Sequence, residues 1–230
     1  MRLTVWALIL AGGLVLDTLW VGRELGPEAT AHENKGDPSI HTAHRMSLGP
    51  ADESFDLRFL DAMILHHEGA VSMAAEALQK SRRREIRQLA RAIVVAQSQE
   101  IEQMRAWRLS WYPQAPRDPV MWHEEMGHQM AMTPEIAAAM RMDTDLGSAD
   151  PEFDLHFLQA MIQHHEGALA MAKEALEKSK RPEIRQLAET VAATQQAEIE
   201  QMQAWQKQWY PQGKEAGHSS QTRGSASAVG

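Results

Sequence analysis

The stretch FDLRFLDAMILHHEGAVSMAAEALQKS, residues 55–81, returns as FDLHFLQAMIQHHEGALAMAKEALEKS at residues 153–179. The likeness continues through EIRQLA, EIEQM, AW and WYPQ. Residues 55–114 thus align with residues 153–212 at an offset of about 98, with roughly two-thirds of positions identical. Such self-similarity marks a duplicated supersecondary unit, and two copies are too few for a solenoid. Within the first unit Phe59, Met63, Ala70, Met73 and Ala77 recur at three- and four-residue steps, as do Leu89, Ile93, Gln97, Ile101, Met104 and Trp111. Both segments are rich in Ala, Leu, Glu, Gln and Arg, which favour helix. The pattern breaks around Arg82 to Arg84 and Lys180 to Pro182, where proline suits a first helical turn. Asp150-Pro151-Glu152 reads as a cap followed by a first turn, and Trp-Tyr-Pro at 111–113 and 209–211 closes each hairpin. An amphipathic hairpin cannot bury its stripe alone. The fold expected is all-α, two repeated helical hairpins (52–114 and 150–212) packed into a four-helix bundle about a pseudo-two-fold axis. The alternative is pairing of hairpins between chains, a homo-oligomer.

The rest of the chain is less periodic. An apolar run from Val5 to Val21 follows Arg2, and Ala29-Thr30-Ala31 supplies an A-x-A pattern, so residues 1–31 read as a signal peptide or a membrane anchor. This predicts an extracytoplasmic protein, periplasmic, secreted or anchored, that meets the membrane only through its N-terminal segment. Residues 32–51, with His32, His41, His44 and Met46, read as a flexible linker, and 213–230 as a disordered tail. Residues 115–149 form a Met/His-rich connector, expected to be mobile apart from a short helix near Pro134 to Met142. A net charge of -8 with both signs interspersed offers no basic stripe, which argues against nucleic acid. Cysteine is absent, so disulfides and thiolate ligands are excluded. Any soft ligand must be a thioether, and the chain has 14 Met beside 11 His.

Those two residue types coincide with the helical stripe. With Met63 at zero and about 100° per residue, Ala70 and Ala74 fall within about 20°, while His66 and His67 lie about 60° and 40° to either side. Met73 follows on the His66 side. Met63, His66, His67 and Met73 therefore make one strip of thioethers and imidazoles, and Met161, His164, His165 and Met171 repeat it. On the partner helix Gln97, Glu100, Met104 and Trp107 share a face, as do Gln195, Glu198, Met202 and Trp205. An inward carboxylate needs a partner. Glu100 and Glu198 can either hold the ring of a metal-binding histidine or ligate metal directly. Met at helical spacing also fills cores, and duplication copies structural residues as faithfully as functional ones. Met121, His123, Met126, His128, Met130 and Met132 in the connector lie outside any helical stripe and form a further candidate metal-binding string.

The pattern Asp56…Met63-Ile64-x-His66-His67-x-x-Ala70-x-x-Met73-Ala74, then Glu85-Ile86-x-x-Leu89-Ala90…Gln97-x-x-Glu100-Ile101-x-x-Met104-x-x-Trp107, resembles the domain of unknown function family 305, and the second hairpin matches it equally. The resemblance implies a ferritin-like helical fold. It also implies kinship with exported CopM-type proteins that bind copper and contribute to copper resistance, with Met63, His66, His67, Met73, Met104 and their second-copy matches as ligands.

Together these readings predict a metal-binding protein that sequesters or passes on Cu(I), with Ag(I) as the ion of like softness and iron or zinc less favoured. No catalysed reaction is expected, because no nucleophile–base arrangement or phosphate loop is present. A copper exporter or chaperone is the kind of partner such a role calls for. A di-metal carboxylate enzyme is the rival, weakened by the lack of a Glu-x-x-His step in either repeat. A metal-free helical module is the third reading.

Overall fold

The computed structural model describes residues 47–211, and the N-terminal apolar run, His32, His41, His44, Met46 and the C-terminal tail lie outside the described residues. Five helices and one small sheet are present among them: α1 (Phe55–Lys80), α2 (Arg84–Trp111), β1 (Val120–His123), β2 (His128–Ala131), α3 (Pro134–Arg141), α4 (Phe153–Lys178) and α5 (Pro182–Trp209). No helix among the described residues is long and apolar enough to cross a membrane. α1 lies along α2, α4 along α5, and α1 packs on α4.

The hairpin ends follow from local chemistry. The Ser81 and Ser179 N–H groups donate to Ala77 O and Ala175 O, closing the last turns of α1 and α4. Arg87 and Arg185 reach back to donate to Leu78 O and Leu176 O, carbonyls that a helix terminus leaves without partners. Asp150 accepts from the N–H groups of Glu152 and Phe153 at the start of α4. The apolar stripes predicted from period 3.6 are buried: Phe59, Met63, Ala70, Met73, Ala77, Ile93, Gln97, Ile101 and Met104 all lie inside.

The two hairpins clasp each other reciprocally. The Arg181 guanidinium stands 4.4 Å from the Trp111 ring centroid and pairs with Asp56, while Arg83 stands 4.4 Å from Trp209 and pairs with Asp154. Trp107 stacks on Trp111 at 5.1 Å and Trp205 on Trp209 at 5.2 Å. Lys178 donates to Gly49 O and Lys80 to Gly147 O. The duplicated unit therefore begins earlier than residue 52. Leu48-Gly49-x-Ala51-Asp52 recurs as Leu146-Gly147-x-Ala149-Asp150, both leucines are buried, and both glycines have positive φ (82° and 81°).

Two expectations are corrected. The end of the 32–51 segment is packed, because Arg58, 1% exposed, donates to Leu48 O, Pro50 O and Asp52. The connector is likewise ordered over its Met/His string. β1 and β2 pair antiparallel, Met121 with Met130 and His123 with His128, around a turn in which Gly127 has φ 64°. Asp61, held by Arg108, accepts the Val120 N–H, and Arg58 donates to Gln129. Two charged residues of α1 thus pin the hairpin, and Met132 is core. Replacing Arg58 with methionine keeps bulk but strands the buried Leu48 carbonyl. It is expected to cost about 2–3 kcal/mol in urea denaturation, whereas His156→Met at the equivalent exposed position stays within about 0.5 kcal/mol.

Candidate metal centre

His66, His67, His164 and His165 sit where α1 crosses α4, each 1% exposed or less. Periodicity placed them on the border of the stripe. The crossing buries both borders at once, because a neighbouring helix covers each side. His66 and His164, equivalent in the repeat, lie with ring centroids 3.8 Å apart and their planes tilted by 44°.

The inward carboxylates meet the other two rings. His67 Nε2 lies 2.8 Å from Glu100 Oε2 and His165 Nε2 lies 2.7 Å from Glu198 Oε2. Glu100 and Glu198, with Gln97 and Gln195, line one small cavity of about 10 Å³ between α2 and α5. A carboxylate only accepts, so Nε2 carries a proton in both rings. His164 Nε2 lies 3.0 Å from Arg141 O at the end of α3, and a carbonyl imposes the same tautomer. Nδ1 of His67, His164 and His165, and both nitrogens of His66, have no hydrogen-bond partner among the described residues. A buried polar atom left bare costs about 1–3 kcal/mol. These bare nitrogens could serve as donors to a ligand, although no three such groups converge on one point among the described residues.

Their electrostatics agree with that use. Burial first, and then the neighbouring His164, His67 and His165, hold His66 well below the ordinary value of 6.5. Burial, then His165, pushes His164 down to about 3. Both rings are neutral at pH 7, the form in which imidazole binds metal.

The methionines are distributed differently from the strips predicted. Met63 and Met104 lie in one core cluster with Met171, whereas Met161 and Met202 lie in the other with Met73. Each hairpin lends one methionine across the pseudo-two-fold axis, because antiparallel α1 and α4 set residue 63 beside 171 and 73 beside 161. In the β-hairpin Met121, His123 and Met130 are half-buried, while Met126 and His128 are exposed. Glu68 is engaged by Arg105 and Arg141. No group of three His, Asp or Glu converges among the described residues. Helical spacing gave no sign of Met142, which follows α3 with φ 49°.

The geometry has known counterparts. The family model described as "Domain of unknown function (DUF305)" matches residues 56–206 and 154–229. The solved structure of CopM in the Cu(II)-bound form is 34% identical, with 67% of this chain and 97% of that chain covered and a TM-score of 0.55. CopM in the Ag-bound form obtained by soaking is 30% identical over the same shares, with a TM-score of 0.53. A DUF305 fragment from Deinococcus radiodurans is 32% identical, with 67% and 96% covered and a TM-score of 0.53. Among curated proteins none matches the chain. With the family model spanning well over half the sequence and solved relatives at 30–34% identity covering two-thirds of it, the chain belongs to the DUF305 family.

Proposed function

We propose that this chain is an extracytoplasmic protein that binds Cu(I), and Ag(I) by the same chemistry, to sequester it or hand it on in copper homeostasis. The observation that supports this best is the set of four buried imidazoles with unpaired ring nitrogens, two of them, His66 and His164, held neutral by burial, set in a core supplied with thioethers and lacking thiolates. Thioether favours Cu(I) over harder ions, and imidazole binds copper among other borderline metals. Glu100 and Glu198 serve to orient His67 and His165, as carboxylates behind a metal-binding imidazole do. The likeness to CopM, crystallised with Cu(I), Cu(II) and silver, points the same way. The apolar N-terminal run supports export, and the cross-strand pairs Met121/Met130 and His123/His128 offer a more exposed station for the same ions.

A ferritin-like di-metal enzyme is the second reading. It needs several carboxylates on one pair of metals, and here the inward Glu100 and Glu198 are each taken up by a histidine. Anaerobic titration of the full-length protein against a competing chelator separates the readings. Stoichiometric uptake of Cu(I) is expected, with stoichiometry kept in Glu100→Gln and affinity lowered about 10–100-fold. Preferential uptake of Fe(II) supports the enzyme, and no uptake of Cu(I), Fe(II) or Zn(II) overturns both.

A further inference from the structure

The two halves of the bundle are alike in sequence but not everywhere in surroundings. On the first hairpin the face made by Leu48, Arg58 and Ala62 is roofed by Val120, Trp122 and Met132. The equivalent face of the second hairpin, Leu146, His156 and Ala160, opens instead as a cleft of about 400 Å³. Between α2 and α5 the repeats meet on equal terms. Ile93, Gln97 and Glu100 of α2 line the small cavity there together with their counterparts Val191, Gln195 and Glu198 of α5. The cavity therefore lies on the pseudo-two-fold axis.

Its polar lining consists of oxygen donors. His67 and His165 engage Oε2 of Glu100 and Glu198, and each carboxylate has a second oxygen to offer. Gln97 and Gln195 are each 3% exposed, yet the Oε1 of each has no hydrogen-bond partner among the described residues. A buried carbonyl oxygen left bare is costly, and both copies of the repeat bear that cost at the same place. The buried Ile93 and Val191 have no polar hydrogen to give either amide. No third histidine or carboxylate converges on the two glutamates among the described residues. The amide oxygens are what complete a donor set here.

We infer that Gln97, Glu100, Gln195 and Glu198 form an oxygen-donor site for one hard divalent cation, of the Mg(II), Ca(II) or Mn(II) class, on the axis between α2 and α5. The site stands beside the copper reading and does not depend on it. Two carboxylates, their side chains only 20% and 17% exposed, share one small cavity and repel. A divalent ion cancels both charges, and the neutral amides add ligands without adding charge. Carboxylate and amide oxygens are the donors hard cations take, whereas Cu(I) prefers the thioethers that this cavity lacks. A volume of about 10 Å³ has room for one ion or one water molecule. The half-exposed carboxylates leave a side open to the waters that complete such a coordination shell. Bound there, the ion ties one helix of each hairpin to the other.

The probe is Mn(II) added to the full-length apo protein, followed by loss of the free-ion signal in electron paramagnetic resonance and by the thermal midpoint. One equivalent bound more tightly than any other is expected, with a midpoint that climbs with Mn(II) concentration as mass action requires. Gln97→Leu and Gln195→Leu each lower affinity for that equivalent by about 10-fold or more, since even an outer partner of a metal ligand costs that much. The two losses are alike, as the axis demands. Without metal, both variants unfold in urea at or above the wild-type midpoint, because a bare buried oxygen has gone; a glutamine kept only for packing or hydrogen bonding gives the reverse. Cu(I) stoichiometry is unchanged in both. No tight Mn(II) equivalent in the wild-type protein, or one held at wild-type affinity in both variants, overturns the site, assigns the cavity to water and leaves the copper reading standing. A fall in Cu(I) stoichiometry alongside Mn(II) affinity makes the glutamines part of the copper site and overturns this one. Mn(II) uptake without Cu(I) uptake supports this site and overturns only the copper reading.

Discussion

Replacing Gly69 with alanine is expected to destabilise the protein by about 3 kcal/mol or more, although alanine in an open helix interior is better than glycine by about 1 kcal/mol. The new methyl would stand 1.8 Å from Arg141 O and 2.7 Å from its carbonyl carbon, so backbone must move. That backbone is held from three sides: Arg141 O accepts from His164, the Arg141 guanidinium pairs with Glu68, and Met140 is anchored in the core. Displacing it adds the loss of a buried hydrogen bond, about 1–3 kcal/mol, to the cost of overpacking. Gly167→Ala meets only side-chain atoms of His66 and Met142, which can shift. Its effect on urea unfolding of the apo protein is expected to be under about 1 kcal/mol. Equal destabilisation by the two changes would contradict the different surroundings of the two glycines.

The second large effect is acid lability. His66 and His164 are held below their ordinary value in the folded protein and return to about 6.5 on unfolding. Between those limits the unfolded chain binds more protons, so stability is complete above pH 6.5 and falls as pH falls, until the folded rings themselves titrate. Each ring contributes at most about 1.4 kcal/mol per pH unit. From pH 7 to pH 5 the two together cost roughly 4 kcal/mol. Asp61, raised by burial, acts with opposite sign, so the comparison with His66→Gln is what isolates the histidine contribution between pH 6.5 and 5. Urea midpoints measured across that window are expected to fall steeply in the apo protein and about half as steeply in His66→Gln. A flat profile would mean that the rings are not buried neutral.

Much of this was legible before any coordinates. Period 3.6 located all four long helices, since Met63, Ala70 and Met73 could share a face only by turning inward, and the break residues marked their ends within a few positions. The inward placement of Glu100 and Glu198 was readable for the same reason. The order of the connector was not, because a four-residue strand pair carries little periodic signal, and what pins it is Arg58 and Asp61, some sixty residues upstream. The leader Leu48-Gly49-x-Ala51-Asp52 was visible at the offset of the repeat, but it was masked by its resemblance to a polar linker. The short helix ending near Met142 was readable, but not that its end meets Gly69, a contact between segments distant in sequence. Nor does a single-helix projection reveal that Met73 and Met171 cross to the opposite hairpin, since it omits the second helix.

The reciprocal clasps, Arg83 on Trp209 and Arg181 on Trp111, have a consequence for assembly. Each hairpin carries one arginine and one tryptophan platform that it cannot join to each other, so a lone hairpin is only half satisfied. Two separate copies would close both clasps through a true dyad, at the concentration dependence of any dimer. The segment from Pro113 to Asp150 replaces that second-order encounter with an internal one, at an effective concentration of about millimolar. It also frees one copy of the repeat to lose its cover and carry an open cleft while the other stays sealed, a division of labour that an exact homodimer cannot adopt.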